Sequence, residues 1–362
     1  MAEHLYVVIM AGGSGTRFWP LSRQKSPKQL QAIVGEEPLI RSTTARFEGL
    51  VRPENIFVIT GPGQDDSTRR ILPELPAGNV VAEPEARDTT AAIALGAALL
   101  LKRDPEAMMA VVPADHLIKP TGVFQATIAA AADVAVRTDY LILFGIRPTF
   151  AATGYGYIRY GDKLEEAAGG MAVRQVKAFT EKPDERTARD YLESGEYYWN
   201  SGIFVWRAAH ILREISNFLP GHGAAFAKIG AALGTSAEKQ VLAAEYARLK
   251  KISIDYAVLE KASDVAVLEA GYQWDDVGSW LALERHLDRD AAGNVVVGNA
   301  LASGSTGCIL HSSGKRLVAA LDLTNMLVVD TDDVVLICPK NRDQDVKRLV
   351  EELRKRGRNE LL

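Results

Sequence analysis

The sequence contains few cysteines, no long hydrophobic segment and no excess of positive charge. Only two cysteines, Cys308 and Cys338, occur in 362 residues, and the paired spacing of a zinc site is absent. Both lie among apolar residues, which indicates buried free thiols in a reducing compartment. The formal net charge of -4 gives no support to nucleic-acid binding, because nucleic-acid-binding domains are usually basic.

The sequence also lacks a segment that could span a membrane or direct export. The longest apolar run, AAIALGAALLL, is about half of the ~20 residues that a membrane-spanning helix needs. The N-terminal residues MAEH are not the start of a basic segment followed by a long apolar one, as in a signal peptide. We therefore expect a cytoplasmic protein without a membrane partner.

Short apolar segments alternate with helix-like segments over the first 150 residues. The segments YVVIMA, NIFVITG, NVVAEP, AMMAVVPADH and YLILFGI are typical of buried strands, and helical patterns such as DTTAAIALGAALLLKRD separate them. This alternation indicates an α/β fold with a mixed, mostly parallel, Rossmann-like sheet covered by helices on both faces. Ligands of such sheets bind at the carboxyl ends of the strands.

The pattern changes twice further along the chain. From about residue 150, segments such as TGYGYIRYG and VRQVKAFTEKP predict a smaller, partly antiparallel insertion. Helices follow it, including one over residues 237–262, AEKQVLAAEYARLKKISIDYAVLEKA. After about residue 290, short strands recur every 8–12 residues or so, which is typical of a compact all-β piece or a β-solenoid, and a helix ends the chain. We therefore expect one domain over residues 1–288 and a β-rich domain over residues 289–362.

A glycine-rich loop follows the first strand. Gly12, Gly13 and Gly15 leave no Cβ atom in the way of a ligand, and such loops commonly bind phosphate through backbone N–H groups. The loop lacks the Gly-Lys-Ser/Thr ending of a Walker A motif. It also lacks the third glycine of the dinucleotide motif, where Phe18 stands instead. The loop therefore predicts phosphate binding of another kind.

Two cations follow this loop. Arg17 and Lys28 are separated by prolines that stiffen the intervening chain. Fixed cations beside backbone donors suit a triphosphate or a departing pyrophosphate. The stretch MAGGSGTRFWPLSRQKSPKQL resembles the activation motif of sugar-1-phosphate nucleotidyltransferases, in particular that of the mannose-1-phosphate guanylyltransferases. Several separate motifs agree, so the resemblance extends over essentially the whole chain.

The resemblance implies a fold, a reaction and a set of residues. The fold is that of nucleotide-diphospho-sugar transferases, with catalysis in residues 1–288 and a left-handed β-helix-like domain at the end. The reaction is GTP plus α-D-mannose 1-phosphate giving GDP-mannose and pyrophosphate, and we also expect a homodimer. Arg17 and Lys28 are implied at the reacting phosphates. The loop residues implied to lie under the nucleotide are Ala11, Gly12, Gly13, Gly15 and Thr16.

Aspartates at two strand ends suggest a metal site. Asp115 follows a buried strand in VVPADHLI, and Asp275 and Asp276 follow another in QWDDVGSW. Adjacent side chains of an extended segment point in opposite directions, so only one of this pair should face the site. Because the reacting phosphates need charge neutralisation, we expect Mg²⁺ held by one or two carboxylates. The resemblance selects Asp115 and Asp276 as the ligands.

The segment AEPEARDTTAAIALGA has a polar start before an apolar helix, and Asp88 can cap that helix. The resemblance implies that this strand end and helix start face the guanine base. A carboxylate such as Glu83 suits the N1–H and exocyclic amine of guanine. The residues implied at the nucleotide are Glu83, Pro84, Arg87, Asp88 and Thr89.

Three later segments, TGYGYI, FTEKP and WNSGIFVW, resemble the sugar-phosphate pocket of the family. A carboxylate and an amide suit vicinal hydroxyl groups, and a lysine suits the sugar phosphate. The residues implied there are Gly154, Tyr155, Gly156, Glu181, Lys182, Asn200 and Gly202. Asp255, in SIDYAVLEK, also matches a family motif, but its chemistry alone assigns it no role.

Two alternatives stay open. One is another sugar-1-phosphate nucleotidyltransferase with a different base or sugar, although the form FWPLSR…SPKQ favours the mannose and guanosine branch. The other is a catalytically inactive regulatory subunit that binds sugar nucleotides, which should have lost a cation or a carboxylate. A dinucleotide-dependent oxidoreductase is disfavoured, because VITGPGQ offers no acidic residue after the second strand. Some members of the family also carry a C-terminal mannose-phosphate isomerase domain. The chain ends too early for such a domain, so we expect a single activity.

Overall fold

The computed structural model describes residues 2–13 and 15–362. The first eleven strands in the described chain are β1 (Leu5–Ala11), β2 (Ile56–Thr60), β3 (Val80–Ala82), β4 (Met108–Pro113), β5 (Leu117–Lys119), β6 (Leu141–Ile146), β7 (Gly156–Ala167), β8 (Met171–Glu181), β9 (Tyr197–Arg207), β10 (Val265–Glu269) and β11 (Gln273–Asp275). Six further strands follow: β12 (Val295–Gly298), β13 (Ala300–Ser303), β14 (Ile309–Ser312), β15 (Val318–Leu321), β16 (Met326–Asp330) and β17 (Val335–Pro339).

The helices of the described chain are α1 (Leu39–Ala45), α2 (Asp65–Ile71), α3 (Thr89–Arg103), α4 (Thr121–Arg137), α5 (Glu185–Ser194), α6 (Ala208–Phe218), α7 (Pro220–Ala232), α8 (Glu238–Tyr246), α9 (Leu283–His286) and α10 (Val346–Lys355). None of these described helices is long and apolar enough to cross a membrane.

Nine strands form one mixed sheet in the order β3-β2-β1-β4-β9-β6-β10-β8-β7. The pairing directions show that all of them except β8 and β9 run the same way. The predicted mixed, mostly parallel sheet is therefore confirmed. The carboxyl ends of β1, β2 and β3 meet at one edge, since Ala11 pairs with Thr60 and Thr60 with Ala82.

The segments TGYGYIRYG and VRQVKAFTEKP, predicted to form a smaller insertion, instead provide β7 and β8 of the same nine-stranded sheet. Strand β9 belongs to this sheet too. It lies in the centre of the sheet, antiparallel to both β4 and β6. Its segment Ile203, Phe204, Val205 and Trp206 is buried, at 1 % exposure or less for each residue. A strand with apolar residues on both faces must be covered on both sides, which favours a central position over an edge.

The six C-terminal strands pair mainly in parallel, as in a short β-helix. Strand β14 pairs in parallel with β12 and β16, and β13 pairs in parallel with β15. The register aligns Val295, Ile309 and Leu327, and all three side chains are fully buried. The predicted β-rich C-terminal part is therefore confirmed. Both cysteines are free as predicted, but Cys338 is half-buried whereas Cys308 is buried.

The chain forms two compact units that interleave along the sequence. The sheet unit comprises Met1–Gly12, Thr44–Ala114 and Ile118–Trp274. The β-helix unit comprises Gly13–Thr43, Asp115–Leu117 and Asp275–Leu362. The chain thus passes from the sheet unit to the β-helix unit three times: within the glycine loop, directly before Asp115 and directly before Asp275. The domain boundary at 288/289 stays a prediction.

The predicted helix over residues 237–262 is interrupted. Helix α8 ends at Tyr246, and only a π-helical turn, Asp255–Leu259, follows it. Between α8 and this turn, the backbone groups of Ile252 and Ile254 form hydrogen bonds with the start of α3. Thr90 N donates to Ile252 O at 3.4 Å, and Ile254 N donates to Thr89 Oγ1 at 2.9 Å.

Helix α3 packs closely on the sheet at Gly96. A Cβ atom there would lie 2.8 Å from Val8 Cγ1 and 3.2 Å from Met109 Cε. We expect Gly96→Ala to lower the free energy of unfolding by about 1–2 kcal/mol, because overpacking outweighs the better helix propensity of alanine. Urea unfolding of the whole chain measures this change.

Gly230 is the matched control, because it lies within α7 and a Cβ atom there would meet nothing within 4 Å. Gly230→Ala should stabilise the protein by up to about 1 kcal/mol. Equal effects of the two substitutions would contradict the close approach at Gly96.

Candidate active site

Two turns of the β-helix unit carry the cations that the sequence analysis selected. Gly15, with φ of +58°, precedes a 3₁₀ turn, Thr16–Phe18, which contains Arg17. A second 3₁₀ turn, Lys28–Leu30, begins with Lys28. Gly15 O accepts hydrogen bonds from Phe18 N at 2.9 Å and Ser22 Oγ at 2.5 Å, which fix the first turn. Sequence reasoning missed Ser22.

Gly15 is required where it stands. A Cβ atom there would lie 2.3 Å from Lys28 Cβ and 3.0 Å from Lys28 N. The positive φ and the close approach both exclude other residues without a local rearrangement. Around Gly13, by contrast, a Cβ atom would meet no described atom within 4 Å, and Ser14 lies outside the described residues. The second half of the glycine loop thus serves to bring Lys28 close.

Lys28 brings both predicted metal-ligand segments together. Its ammonium donates to Asp115 Oδ2 at 2.7 Å, to Asp115 O at 3.2 Å and to Asp276 O at 2.7 Å. The residue is only 5 % exposed. Burial acts to raise the pKa of Asp115, but the charges of Lys28 and His116 and the hydrogen bond from Lys28 together hold that pKa below its usual range. The Asp115 carboxylate is therefore ionised beside the buried lysine.

The structure distinguishes the two adjacent aspartates, Asp275 and Asp276. The buried Asp275 carboxylate accepts from Arg285 Nε at 2.6 Å, Arg285 Nη2 at 2.9 Å, His286 Nε2 at 2.8 Å and Val277 N at 2.8 Å. Burial opposes ionisation, yet these donors hold the pKa of Asp275 well below its usual range. Asp275 is thus committed to internal contacts, whereas Asp276 is half-buried.

Two residues beside Asp276 were missed by sequence reasoning. Val277 has φ of +46°, a strained conformation for a β-branched residue, and is fully buried. At Gly278, a Cβ atom would lie 2.8 Å from Asp276 Oδ2 and 3.2 Å from Arg17 Nη1, and Gly278 O accepts from Arg17 Nη1 at 2.9 Å. Gly278 therefore lets the Asp276 carboxylate and the Arg17 guanidinium approach each other. The glycine in DDVGSW was the one sequence signal that could have indicated this close approach.

In the sheet unit, Glu83 directly follows β3 and lies beside Gly12. The residue is 4 % exposed, and a Cβ atom on Gly12 would lie 3.3 Å from Glu83 Oε2. Glu83 Oε1 has no hydrogen-bond partner within the described part of the chain. Burial raises the pKa of Glu83 to about 8. This buried acid with an unsatisfied oxygen is suited to a ligand that can donate to it.

The helix start after Glu83 is as predicted. Asp88 caps α3, since its Oδ1 accepts from Thr89 N at 2.8 Å. Its φ of +70° is unusual for a residue with a side chain. The Arg87 guanidinium donates to Ala247 O at 2.9 Å, so this polar start is fastened to the segment that follows α8. Pro84, which directly follows Glu83 in the sequence, is half-buried.

The predicted sugar-side residues also come together in the sheet unit. Gly156 pairs with Glu181 across β7 and β8, and Lys182 N donates to Tyr155 O at 3.2 Å. The Lys182 ammonium donates to Glu181 Oε1 at 2.5 Å, and Lys182 has φ of +48°. Burial acts to lower the pKa of Lys182, but the hydrogen bond to Glu181 and the charges of Glu181 and Asp255 together raise it. These residues therefore form one charged cluster.

Asn200, Gly202 and the flanking aromatic residues complete this cluster. Asn200 Oδ1 accepts from Gly202 N at 3.1 Å. The Tyr155 ring makes edge contacts with Trp199 and Trp274, with both pairs of ring centroids 5.1 Å apart. Around Gly154, a Cβ atom would meet nothing within 4 Å in the described chain. Aromatic walls beside a polar cluster are typical of carbohydrate-sized sites.

Comparison with known families gives two matches in chain order. Residues 6–292 match the nucleotidyl transferase family. Residues 298–353 match the mannose-phosphate isomerase/GMP-like β-helix domain. The first match covers most of the chain.

Individual proteins agree with this assignment. A mannose-1-phosphate guanylyltransferase of Klebsiella pneumoniae is 39% identical over 98% of this chain and 75% of its own length. One of Escherichia coli is 38% identical over the same shares. A crystal structure from Thermus thermophilus, described as a mannose-1-phosphate geranyltransferase, has a TM-score of 0.85 at 34% identity and covers 97% of this chain and 99% of its own. The chain therefore belongs to the mannose-1-phosphate guanylyltransferase family of nucleotidyl transferases.

Proposed function

We propose that this chain transfers a guanylyl group from GTP to α-D-mannose 1-phosphate, giving GDP-mannose and pyrophosphate. The observation that carries the proposal is the buried Lys28 ammonium between Asp115 and Asp276, in contact with both residues. Cation and carboxylate are the two kinds of group that a phosphate–metal reaction centre needs. The names of the relatives described above indicate guanine as the base and mannose as the sugar.

The β-helix unit is assigned to the phosphates. Arg17 and Lys28 would neutralise the triphosphate and the departing pyrophosphate, and the backbone N–H groups of the glycine loop would bind phosphate oxygens. Thr16 follows Gly15 directly and joins the same turn. No covalent intermediate on the protein is needed, because positioning and charge neutralisation account for most of phosphoryl-group catalysis.

Asp115 and Asp276 fit a Mg²⁺ ion. The Lys28 ammonium holds the two segments together, since it contacts the Asp115 carboxylate and the main-chain carbonyl group of Asp276. Asp275 is an unsuitable ligand because Arg285 and His286 bond both of its carboxylate oxygens. Lys28, by contrast, bonds Oδ2 of Asp115. When bound, Mg²⁺ would neutralise negative charge at the α-phosphate and help to orient it. Asp115 and Asp276 would hold the ion, and substrate phosphates and water would complete its coordination.

The sheet unit is assigned to the base and the sugar. Glu83 would accept hydrogen bonds from the N1–H and exocyclic amine of guanine, while the polar start of α3 borders the base. The other residues of the nucleotide side are Ala11, Gly12, Pro84, Arg87, Asp88 and Thr89. Glu181 and Asn200 would bind mannose hydroxyl groups, and Lys182 would bind the sugar phosphate. Backbone groups of Gly154, Tyr155, Gly156 and Gly202 would line the sugar.

The reaction is then a single displacement. A phosphate oxygen of mannose 1-phosphate attacks the α-phosphorus of GTP and forms the new P–O bond, while the bond to the bridging oxygen breaks and its electron pair leaves with pyrophosphate. The nucleophile is already an anion, so no general base is needed. A cytoplasmic location, a homodimer and a separate catalytic domain over residues 1–288 stay predictions.

The direct test is pyrophosphate release with Mg²⁺ for each of four nucleoside triphosphates combined with mannose, glucose and N-acetylglucosamine 1-phosphates. We expect release to be fastest, by at least about tenfold in kcat/KM, with GTP and mannose 1-phosphate. Preference for another pair would contradict the assigned base or sugar. Nucleotide binding without release from any pair would favour the regulatory-subunit alternative.

The neighbouring aspartates should respond differently to the same substitution. Asp276→Asn should lower kcat by about a thousandfold, because a metal ligand contributes to several kcal/mol of charge stabilisation. Asp275→Asn should lower the free energy of unfolding by about 1–3 kcal/mol, since Arg285 and His286 lose their charged partner. Activity assays and urea unfolding of both variants measure these effects. A greater loss of kcat in Asp275→Asn would reverse the assignment.

The raised pKa of Glu83 predicts pH-dependent binding of GTP. If guanine binds the ionised carboxylate, binding releases a proton below the pKa of about 8. The Kd for GTP should therefore fall as pH rises from 6.5 to 8, by at most about tenfold per pH unit. Calorimetric titrations with GTP and with ITP, which lacks the exocyclic amine, measure both affinity and selectivity.

Glu83→Gln is the matched control, because ionisation of the nucleotide phosphates affects both proteins equally. The variant should lose the Glu83 contribution to the pH slope and most of the preference for GTP over ITP. Equal slopes and equal GTP preference in the two proteins would disprove the proposed base contact.

A further inference from the structure

Asp255 is a half-buried carboxylate to which the proposed reaction assigns no role. It begins the π-helical turn Asp255–Leu259. The preceding residue is anchored, since Ile254 N donates to Thr89 Oγ1 at 2.9 Å and the Ile254 side chain is 1 % exposed. Ala257, in the same turn, is fully buried. The backbone that carries Asp255 is therefore held in place on both sides.

The Asp255 side chain is directed at Asn200. Asp255 Oδ1 accepts from Asn200 Nδ2 at 2.9 Å. On the other side of the amide, Asn200 Oδ1 accepts from Gly202 N at 3.1 Å. An N–H group can only meet the amide oxygen, and a carboxylate can only meet the amide nitrogen. Together the two neighbours fix the orientation of the amide.

The charged residues around this pair keep the arrangement polar. A Cβ atom on Gly156 would lie 2.5 Å from Glu181 Oε2 and 3.3 Å from Asn200 Cβ, so Gly156 lets these side chains come close. Burial, and then the charge of Glu181, raise the pKa of Asp255 to about 6, while the bond from Asn200 and the charge of Lys182 act in the opposite direction. Asp255 is therefore mostly ionised near pH 7.5 and remains an acceptor.

We propose that Asp255 is a positioning residue of the sugar site, which acts by holding the Asn200 amide in the orientation that binds the sugar hydroxyl groups. The inference rests on the proposed function, in which Asn200 binds the sugar. With Asp255 as its partner, the amide keeps one N–H and one oxygen lone pair for a ligand. Without Asp255, the amide can rotate and this pairing is lost.

A double-mutant cycle over Asn200 and Asp255 tests the proposal. Asp255→Ala should raise the KM for the sugar phosphate about tenfold, as expected for the loss of one charged hydrogen bond. The KM for the nucleotide should stay within about twofold. If Asp255 acts through Asn200, the double variant Asn200→Ala/Asp255→Ala should have the same KM as Asn200→Ala alone. Effects of the two single substitutions that multiply in the double variant would overturn the proposal.

Two further variants separate positioning from folding. Asp255→Asn keeps an acceptor oxygen for Asn200 and should keep the KM for the sugar phosphate within about threefold of the wild-type value. A KM as high as that of Asp255→Ala would overturn the role as hydrogen-bond acceptor. Glu260→Gln is the matched control, because Glu260 is an exposed acid just after the same turn. It should leave both KM values unchanged.

The cycle uses whichever substrate pair the wild-type protein turns over fastest. A pair other than GTP and mannose 1-phosphate would contradict the proposed function, while the cycle would still report whether Asp255 acts through Asn200. Failure of the cycle with GTP and mannose 1-phosphate would instead overturn the inference on Asp255 alone.

Discussion

The buried ammonium of Lys28 joins three segments of the β-helix unit that are far apart in the sequence. Its bonds reach Asp115, 87 residues away, and Asp276, 248 residues away. A buried charge is costly unless it is paired and fully hydrogen-bonded, so this lysine constrains both segments at once. Gly15 is part of the same constraint, because a side chain there would overlap with Lys28. The glycine loop, the cation and the carboxylates therefore depend on each other.

Backbone strain occurs in several of the predicted site segments. Positive φ values occur at Asp88, Lys182 and Val277, each within or next to a predicted site segment. Such conformations cost on the order of 1–3 kcal/mol each and persist only where surrounding contacts impose them. At Val277 the constraint is visible, since its N–H group is bonded to Asp275 and its side chain is buried. Asp275 thus stabilises the strained turn that presents Asp276.

The sequence was sufficient for features set by local chemistry. The apolar strands and the Asp88 cap follow from spacing and residue type, whereas the grouping of the cations with the aspartates was implied by the family resemblance. It was insufficient where partners are distant: the burial of Lys28 and the central place of β9 depend on tertiary packing. The prediction of one helix over residues 237–262 was wrong for the same reason. Hydrogen bonds between the middle of that segment and Thr89 and Thr90 interrupt the helix, and the periodicity of the segment does not indicate them. Alternation alone left Asp275 and Asp276 equivalent. The resemblance selected Asp276, and the contacts of Arg285 and His286 with Asp275 give a physical reason for that choice.

The number of carboxylates has a consequence for how the metal would bind. No group of three or more His, Cys, Asp or Glu side chains in the described chain is arranged to hold a metal ion. Mg²⁺ bound through only one or two carboxylates takes its remaining ligands from phosphate and water. Its affinity for the protein would then rise when a triphosphate is present, and by reciprocity the metal would tighten binding of the triphosphate. A site with few protein ligands therefore makes charge neutralisation conditional on the substrate, while Lys28 balances the Asp115 charge in its absence.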